Sequence, residues 1–504
     1  MPQKQPNILF IQTDQLLAQA LRIYGDPVCL TPNLDKLARE GAVFETAYCN
    51  FPLCGPSRYS MASGQLASRI AAYDNAAEFS SFIPTYAHFL RDAGYQTCLS
   101  GKMHFVGPDQ LHGFEERLTP DIYPADFTWT PNWEDTSGAD ANDDRALSIS
   151  GPCARTAQID YDNEACFKAE RKLYDIARSS DDRPFFLQVS FTHPHDPYLC
   201  LQEHWDRYEG VDIPMPEIAS LPRDAHDPHS VRLLELVGML DKPYPEEWTL
   251  RARRAYYGSV SYIDDRVGDL LRALKAADLA DNTVIIFTSD HGEMFGERGM
   301  WFKRTFFEQS LRIPLIIHAP GRIKPQRVET LASLVDLVPT FMGFAAGSNW
   351  VPPVDALDGA DLGMFLGVKT QERSIYAEYL SDMVTSPQMM IRRGSLKFIT
   401  GSGDPDLLFD LQADPKELNN VATDETYSDQ LQAFRMEALK TWDRDQMTKD
   451  ILLSQRRRKF VHGALNKGKR TAWEFEEKAG DNTGWYRGQT SYNDWAFEHL
   501  PSRS

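Results

Sequence analysis

Cys54 opens the run Cys54-Gly55-Pro56-Ser57-Arg58, which Tyr59-Ser60-Met61-Ala62-Ser63-Gly64 continues as a predicted helix. Its thiol falls at the helix N-terminus, where unpaired N–H groups and the dipole favour an anion. Pro56 suits the first turn, Ser57 can help cap, and Arg58 offers a planar fork of donors for an oxyanion. A buried structural cysteine ahead of a capped helix has the same local form, because Cys is among the most often buried residue types. The residues that converge with Cys54 decide between the two.

Two carboxylates stand at the ends of apolar runs from opposite halves of the chain. Asn7-Ile8-Leu9-Phe10-Ile11-Gln12-Thr13 ends in Asp14-Gln15, and Thr283-Val284-Ile285-Ile286-Phe287-Thr288-Ser289 ends in Asp290-His291. Together they make an oxygen and nitrogen donor set for one divalent cation. Each aspartate alone could equally cap a following helix. Lys102 and His104 alternate along a short extended segment, so both can point into one pocket.

These motifs resemble type I sulfatases, whose signature is Cys-x-Pro-Ser-Arg followed by a Thr- or Ser-Gly pair; the similarity covers about residues 6–425. The resemblance implies that Cys54 becomes formylglycine, made by a dedicated generating enzyme, and that its hydrated aldehyde attacks sulfur. It implies one metal ion held by Asp14, Gln15, the modified Cys54, Asp290 and His291, with Ca²⁺ favoured and Mn²⁺ possible. Asp14-Gln15 and Asp290-His291 resemble the choline-sulfatase and phosphonate monoester hydrolase branch, where many sulfatases have Asp-Asp and Asp-Asn.

On the same resemblance, Arg58, Lys102 and Lys303 hold the sulfuryl oxygens, and His195 or Lys303 protonates the leaving alcohol. His104 takes the proton from the hydrate, and His193 is the lesser member of its pair. The runs 73–81, 101–117 and 121–129 are similar to choline sulfatases, which implies a choline pocket lined by Asn75 and Trp129. Trp133, or Trp485 and Asp494 from another subunit, are candidates to complete it. The expected activity is hydrolysis of a sulfate monoester, choline sulfate-like or another alkyl or aryl sulfate. The alternatives are a phosphonate monoester or phosphodiester hydrolase, and a silent metal- or anion-binding protein in which Cys54 stays a thiol.

The elements that must position these groups read as α/β. Buried apolar strands (those above, Thr97–Gly101, Pro184–Phe191 and Leu315–His318) alternate with helix-sized segments, including 83–93, 164–179 and 247–276. The expected fold is alkaline-phosphatase-like: a large mixed, mostly parallel sheet flanked by helices, with a smaller C-terminal antiparallel sheet plus helix. The expected division is a catalytic domain over 1–346, a C-terminal subdomain over 347–455 with its helix at 427–447, and an extended tail over 456–504. The tail's aromatic residues (Trp473, Phe475, Trp485, Tyr486, Tyr492, Trp495) suggest packing on another subunit of a homodimer or homotetramer.

At 504 residues the chain exceeds one core's usual size. A net charge of -19 argues against a nucleic-acid partner. The start shows no signal-peptide pattern, and no apolar run approaches a membrane span. Seven cysteines without paired spacing read as reduced thiols, giving a cytoplasmic expectation.

Overall fold

Asn7–Asp14 (β1) is a strand because its apolar residues face packing on both sides, and every residue after Asn7 is buried. The computed structural model describes residues 5–135, 144–368, 371–469 and 472–476. The main sheet adds Ala42–Phe44 (β2), Gln96–Gly101 (β3), Glu116–Arg117 (β4), Phe185–Pro194 (β5), Thr283–Ser289 (β6), Leu315–His318 (β7) and Gln326–Val328 (β8). Their order across the sheet is β8-β2-β7-β6-β1-β5-β3-β4.

Pairing is parallel among β6, β1, β5, β3 and β4. β7 runs antiparallel to both β6 and β2. The mixed, mostly parallel sheet is as expected. The direction of β7 follows from its connection, because no crossover helix covers the chain between Ser289 and Leu315.

Register does the positioning. Thr13 pairs with Ser289, so Asp14 and Asp290 leave adjacent strands side by side. Gly101 pairs with Ser190, which brings the segment after β3 to the same edge. A Cβ on Gly101 would lie 1.9 Å from the Ser190 carbonyl oxygen, and its φ is +105°, so the site demands glycine. Four neighbouring strands thus discharge their C-terminal ends at one place, where open α/β sheets bind ligands.

Helices cover both faces: Cys54–Ser63 (α1), Ala157–Arg178 (α2), Glu246–Ala276 (α3) and Leu337–Ala346 (α4). α2 starts earlier than its apolar spacing suggests, because the Thr156 hydroxyl caps it by accepting the Ile159 N–H. Ser374–Tyr379 (β9), Gln388–Arg393 (β10), Leu396–Gly401 (β11) and Leu407–Asp410 (β12) form the smaller antiparallel sheet. It joins the main body through Asn50, which donates to the Tyr376 carbonyl at 2.8 Å, and through Lys397, whose Nζ lies 2.6 Å from Glu308.

The expected helix at 427–447 is two helices, Ser428–Thr441 (α5) and Arg444–Leu465 (α6), separated at Trp442 and Asp443. The Asp443 carboxylate accepts the Gln446 N–H and starts α6. The extended tail expected from 456 is therefore corrected, because α6 continues to Leu465 with Ile451, Gln455 and Arg458 buried. Trp473 packs edge-on against Phe127 at 5.2 Å. Trp485, Tyr486, Tyr492, Asp494 and Trp495 lie outside the described residues. Among the described residues no helix is long and apolar enough to cross a membrane.

Candidate functional site

Every residue of α1 is buried, and the helix aims its N-terminus at the strand ends. Sγ of Cys54 lies 3.7 Å from Asp14 Oδ1 and 3.3 Å from His291 Nε2. His291 Nε2 is in turn 3.7 Å from Asp290 Oδ1. These four residues offer ligand atoms that all lie within 4.8 Å of one another. His291 is oriented from behind by the Gly292 carbonyl, 2.9 Å from its Nδ1, which turns Nε2 towards Cys54, Asp14 and Asp290.

Arg58 links the two acids. Its Nε donates to Asp290 Oδ2 at 2.8 Å and its NH2 to Asp14 Oδ2 at 3.0 Å. Its NH1 donates to the Lys102 carbonyl at 2.6 Å and the Ser190 hydroxyl at 2.8 Å. The guanidinium expected to grip a substrate oxyanion is instead committed to aligning the two carboxylates, because they leave their strands within reach of its fork. Lys102 also donates to Asp14 and lies 4.1 Å over the ring of Tyr123.

Electrostatics support a cation here. Burial and the adjacent Cys54 raise the Asp14 carboxyl, but Lys102, His195 and Arg58 outweigh them and hold it well below the usual range. Burial, and next the charge of Asp14, push Asp290 up. A divalent cation between the carboxylates relieves that crowding, so the donor set fits a metal ion. Burial opposes ionisation of Cys54, yet Lys102, Lys303, His291 and a contact from His104 bring the thiol well below its ordinary value. The site therefore favours an anion at residue 54.

A second group sits across from Cys54. Lys303 Nζ donates to Gln15 Oε1 at 2.5 Å and lies 2.7 Å from His195 Nε2. His195 Nδ1 donates to the Asp196 carbonyl at 2.7 Å, so Nε2 accepts from the lysine. Gln15 places its backbone N–H on Asp290 Oδ1 at 3.1 Å, while its amide nitrogen faces Asp196 and Glu293. His193 is turned away, its Nδ1 2.7 Å from Asp162 on α2.

His104 donates from Nε2 to the Asn75 carbonyl at 3.0 Å, which leaves its buried Nδ1 for the contact with Cys54. Asn75 Oδ1 accepts the Gly55 N–H at 2.9 Å, so this side chain supports α1. Trp129 is 36% exposed and packs edge-on to Tyr123 at 5.1 Å and to His104 at 5.7 Å. Trp133 is buried, with its indole N–H on the Ser381 carbonyl at 2.6 Å.

Three contributors carried no assigned role in the sequence reading. Tyr123 lies in the run that resembles choline sulfatases, two residues after Asp121, and meets Lys102, His104 and Trp129. Asp121 Oδ2 accepts the Met103 and His104 N–H groups at 2.9 and 2.6 Å, holding His104 in its left-handed conformation (φ 62°). Glu293, just past the second strand end, is raised to about 7 by burial and accepts two backbone N–H groups as well as the Gln15 amide. Its place in Asp290-His291-Gly292-Glu293 was the available signal.

A mostly parallel sheet with acids, a cysteine-headed helix and a lysine–histidine pair at its C-terminal edge defines an alkaline-phosphatase-like hydrolase. The solved structures it resembles include the phosphonate monoester hydrolase of Agrobacterium radiobacter (TM-score 0.69, 24% identity, 86% of this chain and 95% of that one). The chain belongs to the sulfatase family, whose model, described as Sulfatase, matches residues 6–348. Models described as N-sulphoglucosamine sulphohydrolase, C-terminal, and as choline sulfatase enzyme C terminal match residues 296–444 and 449–498.

A choline-sulfatase of Rhizobium meliloti is 43% identical over 488 residues, spanning 94% of each chain. An arylsulfatase of Clostridium perfringens is 28% identical over 86% of this chain and 93% of its own. The protein is accordingly a sulfatase, a hydrolase of sulfate monoesters.

Proposed function

We propose that the chain hydrolyses choline sulfate or a closely similar alkyl sulfate, using formylglycine made from Cys54 by a formylglycine-generating enzyme. Asp14, residue 54, Asp290 and His291, with Gln15 beside them, would hold one divalent cation, Ca²⁺ ahead of Mn²⁺. When bound, the cation supplies positive charge to the sulfuryl oxygens and lowers the pKa of the aldehyde hydrate.

The remaining work falls to the chain's own side chains. Lys102 and Lys303 bring positive charge to where the ester oxygens gain negative charge. Arg58 keeps Asp14 and Asp290 parallel. The Lys303–His195 pair delivers a proton to the departing alcohol oxygen. His104, fixed as its Nε2–H tautomer by the Asn75 carbonyl, presents Nδ1 as a proton acceptor beside residue 54.

The observation that carries the choline reading is the aromatic corner of Trp129 and Tyr123 next to Lys102 and His104. Aromatic faces attract a quaternary ammonium, each contact contributing on the order of 1 kcal/mol. The relative named choline-sulfatase and the match to the choline-sulfatase C-terminal model support the same reading.

The test compares kcat/KM for choline sulfate, 4-nitrophenyl sulfate and a phenyl phosphonate ester. Choline sulfate should lead. An aryl sulfate in front removes the choline assignment, and a phosphonate ester in front removes sulfate specificity. We further propose a reducing, cytoplasmic setting, which seven free cysteines support, and assembly as a homodimer or homotetramer.

A further inference from the structure

Arg458 projects from α6 and meets Asp74, 384 residues away in sequence, with NH1 and NH2 each 2.6 Å from one carboxylate oxygen. The pair is sealed from water: the arginine side chain is 6% exposed and the aspartate 0%. Asp74 Oδ1 also accepts the Ala76 N–H at 2.9 Å, so the carboxylate organises the turn it belongs to. The next residue of that turn is Asn75, and it has two separate attachments to the reacting groups. Its side-chain oxygen takes the Gly55 N–H at the head of α1, and its carbonyl takes Nε2 of His104. The fit is close, since a Cβ on Gly55 would lie 3.1 Å from Asn75 Oδ1.

We propose that Arg458 is a positioning residue for catalysis: by clamping Asp74 it sets Asn75, which in turn places Cys54 and His104 relative to each other. The inference rests on the reading of residue 54 and His104 as reacting groups given above. Arg458 touches no reacting atom. A buried ion pair is weak evidence for a stabilising role, because apolar residues of similar volume often serve as well. Its planar, bidentate geometry instead fixes an orientation that a point charge cannot. α6 is braced at a further point near Arg458, Gln455 accepting the Trp133 backbone N–H at 2.9 Å, so the clamp is mounted on a supported element. A shift of about 1 Å between reacting groups is enough to cost about 100-fold in rate.

The experiment measures kcat and KM of the metal-loaded full chain for choline sulfate and 4-nitrophenyl sulfate, per mole of protein shown by mass spectrometry to carry formylglycine. Arg458→Gln should lower kcat at least tenfold, by the same factor for both esters, with smaller changes in KM. Arg458→Lys should recover part of the loss. Arg456→Gln, which removes a charge from the same helix, should leave kcat within twofold. In an Asn75→Ala background, which removes the side-chain link to Gly55 but keeps the carbonyl link to His104, Arg458→Gln should cost less than it does in the wild type, because one of its two routes is gone.

A folded Arg458→Gln protein with kcat within twofold of wild type overturns the proposal. So does a loss that multiplies fully with that of Asn75→Ala, or a change confined to KM. Should Arg458→Gln fail to fold, the paired Asp74→Asn/Arg458→Gln variant, which leaves no lone charge, is judged by the same kcat criterion. Cys54→Ala separates the two readings: an active Cys54→Ala removes the nucleophile assignment. An inactive Cys54→Ala beside a fully active Arg458→Gln removes the clamp alone.

Discussion

Sγ of Cys54 lies 3.3 Å from Nε2 of His291, and both side chains are buried. A thiol in that place sits among cations that hold it below its ordinary pKa, as a nucleophile or metal-bound group requires. Cys54→Ala should therefore lower kcat by about 10³-fold or more while leaving the thermal midpoint almost unchanged, since only one small polar group is removed from a well-packed helix start. Peptide mass spectrometry of the wild type should show residue 54 lighter than cysteine. Wild-type turnover by Cys54→Ala sinks the assignment.

Burial and, next, the charge of Asp14 raise the Asp290 carboxyl. Stripping metal with a chelator should abolish turnover and lower the thermal midpoint, because a ligand at 100 times its Kd stabilises the fold by about 2.7 kcal/mol. Adding back Ca²⁺ or Mn²⁺ should restore both, and the ion that does so at lower concentration is the preferred one. Full activity in protein shown by elemental analysis to lack metal would contradict the cation reading.

Lys303 Nζ lies 2.7 Å from His195 Nε2, and the histidine's other nitrogen is held by the Asp196 carbonyl. A proton shared by this pair matters most when the leaving alcohol is a poor one. His195→Ala should cost about 10²- to 10⁴-fold on alkyl sulfates and far less on 4-nitrophenyl sulfate, so a plot of log kcat against leaving-group pKa should steepen. Equal losses across the series would assign His195 to structure.

Much of this site was legible because parallel strands announce themselves as unbroken apolar runs, and the polar residue that ends each run is its tip. Asp14, Asp290 and His104 were found that way. Partners were not legible. Arg58 reads as an anion-binding fork, and only the Thr13–Ser289 register shows that two carboxylates occupy it. The run Arg456-Arg457-Arg458-Lys459 reads as the start of an extended tail, yet one of its members is buried against Asp74 from a helix. The direction of β7 was hidden for a related reason: Leu315-Ile316-Ile317 is equally apolar whichever way the strand runs. Local pattern encodes burial, while long-range pairing has no local signature.

Asp264 illustrates a charge that the fold uses at a cost. From α3 it accepts the Asn33 N–H at 3.1 Å and the Leu34 N–H at 2.8 Å, capping the helix Pro32–Glu40 in place of a side chain from that helix itself. Burial raises its carboxyl from 3.8 to about 6, against the pull of those hydrogen bonds, with Asp265 adding to the rise. An acid raised on folding contributes stability that is fully present below its unfolded value of 3.8 and is lost as pH rises through about 6. Asp264→Asn carries no such charge and lacks that dependence. The unfolding free energy of the wild type should therefore gain on that of Asp264→Asn by about 1 kcal/mol between pH 7 and pH 5. Denaturant titrations of both proteins across this range make the check, and a difference that is flat or runs the other way means that Asp264 stays ionised throughout.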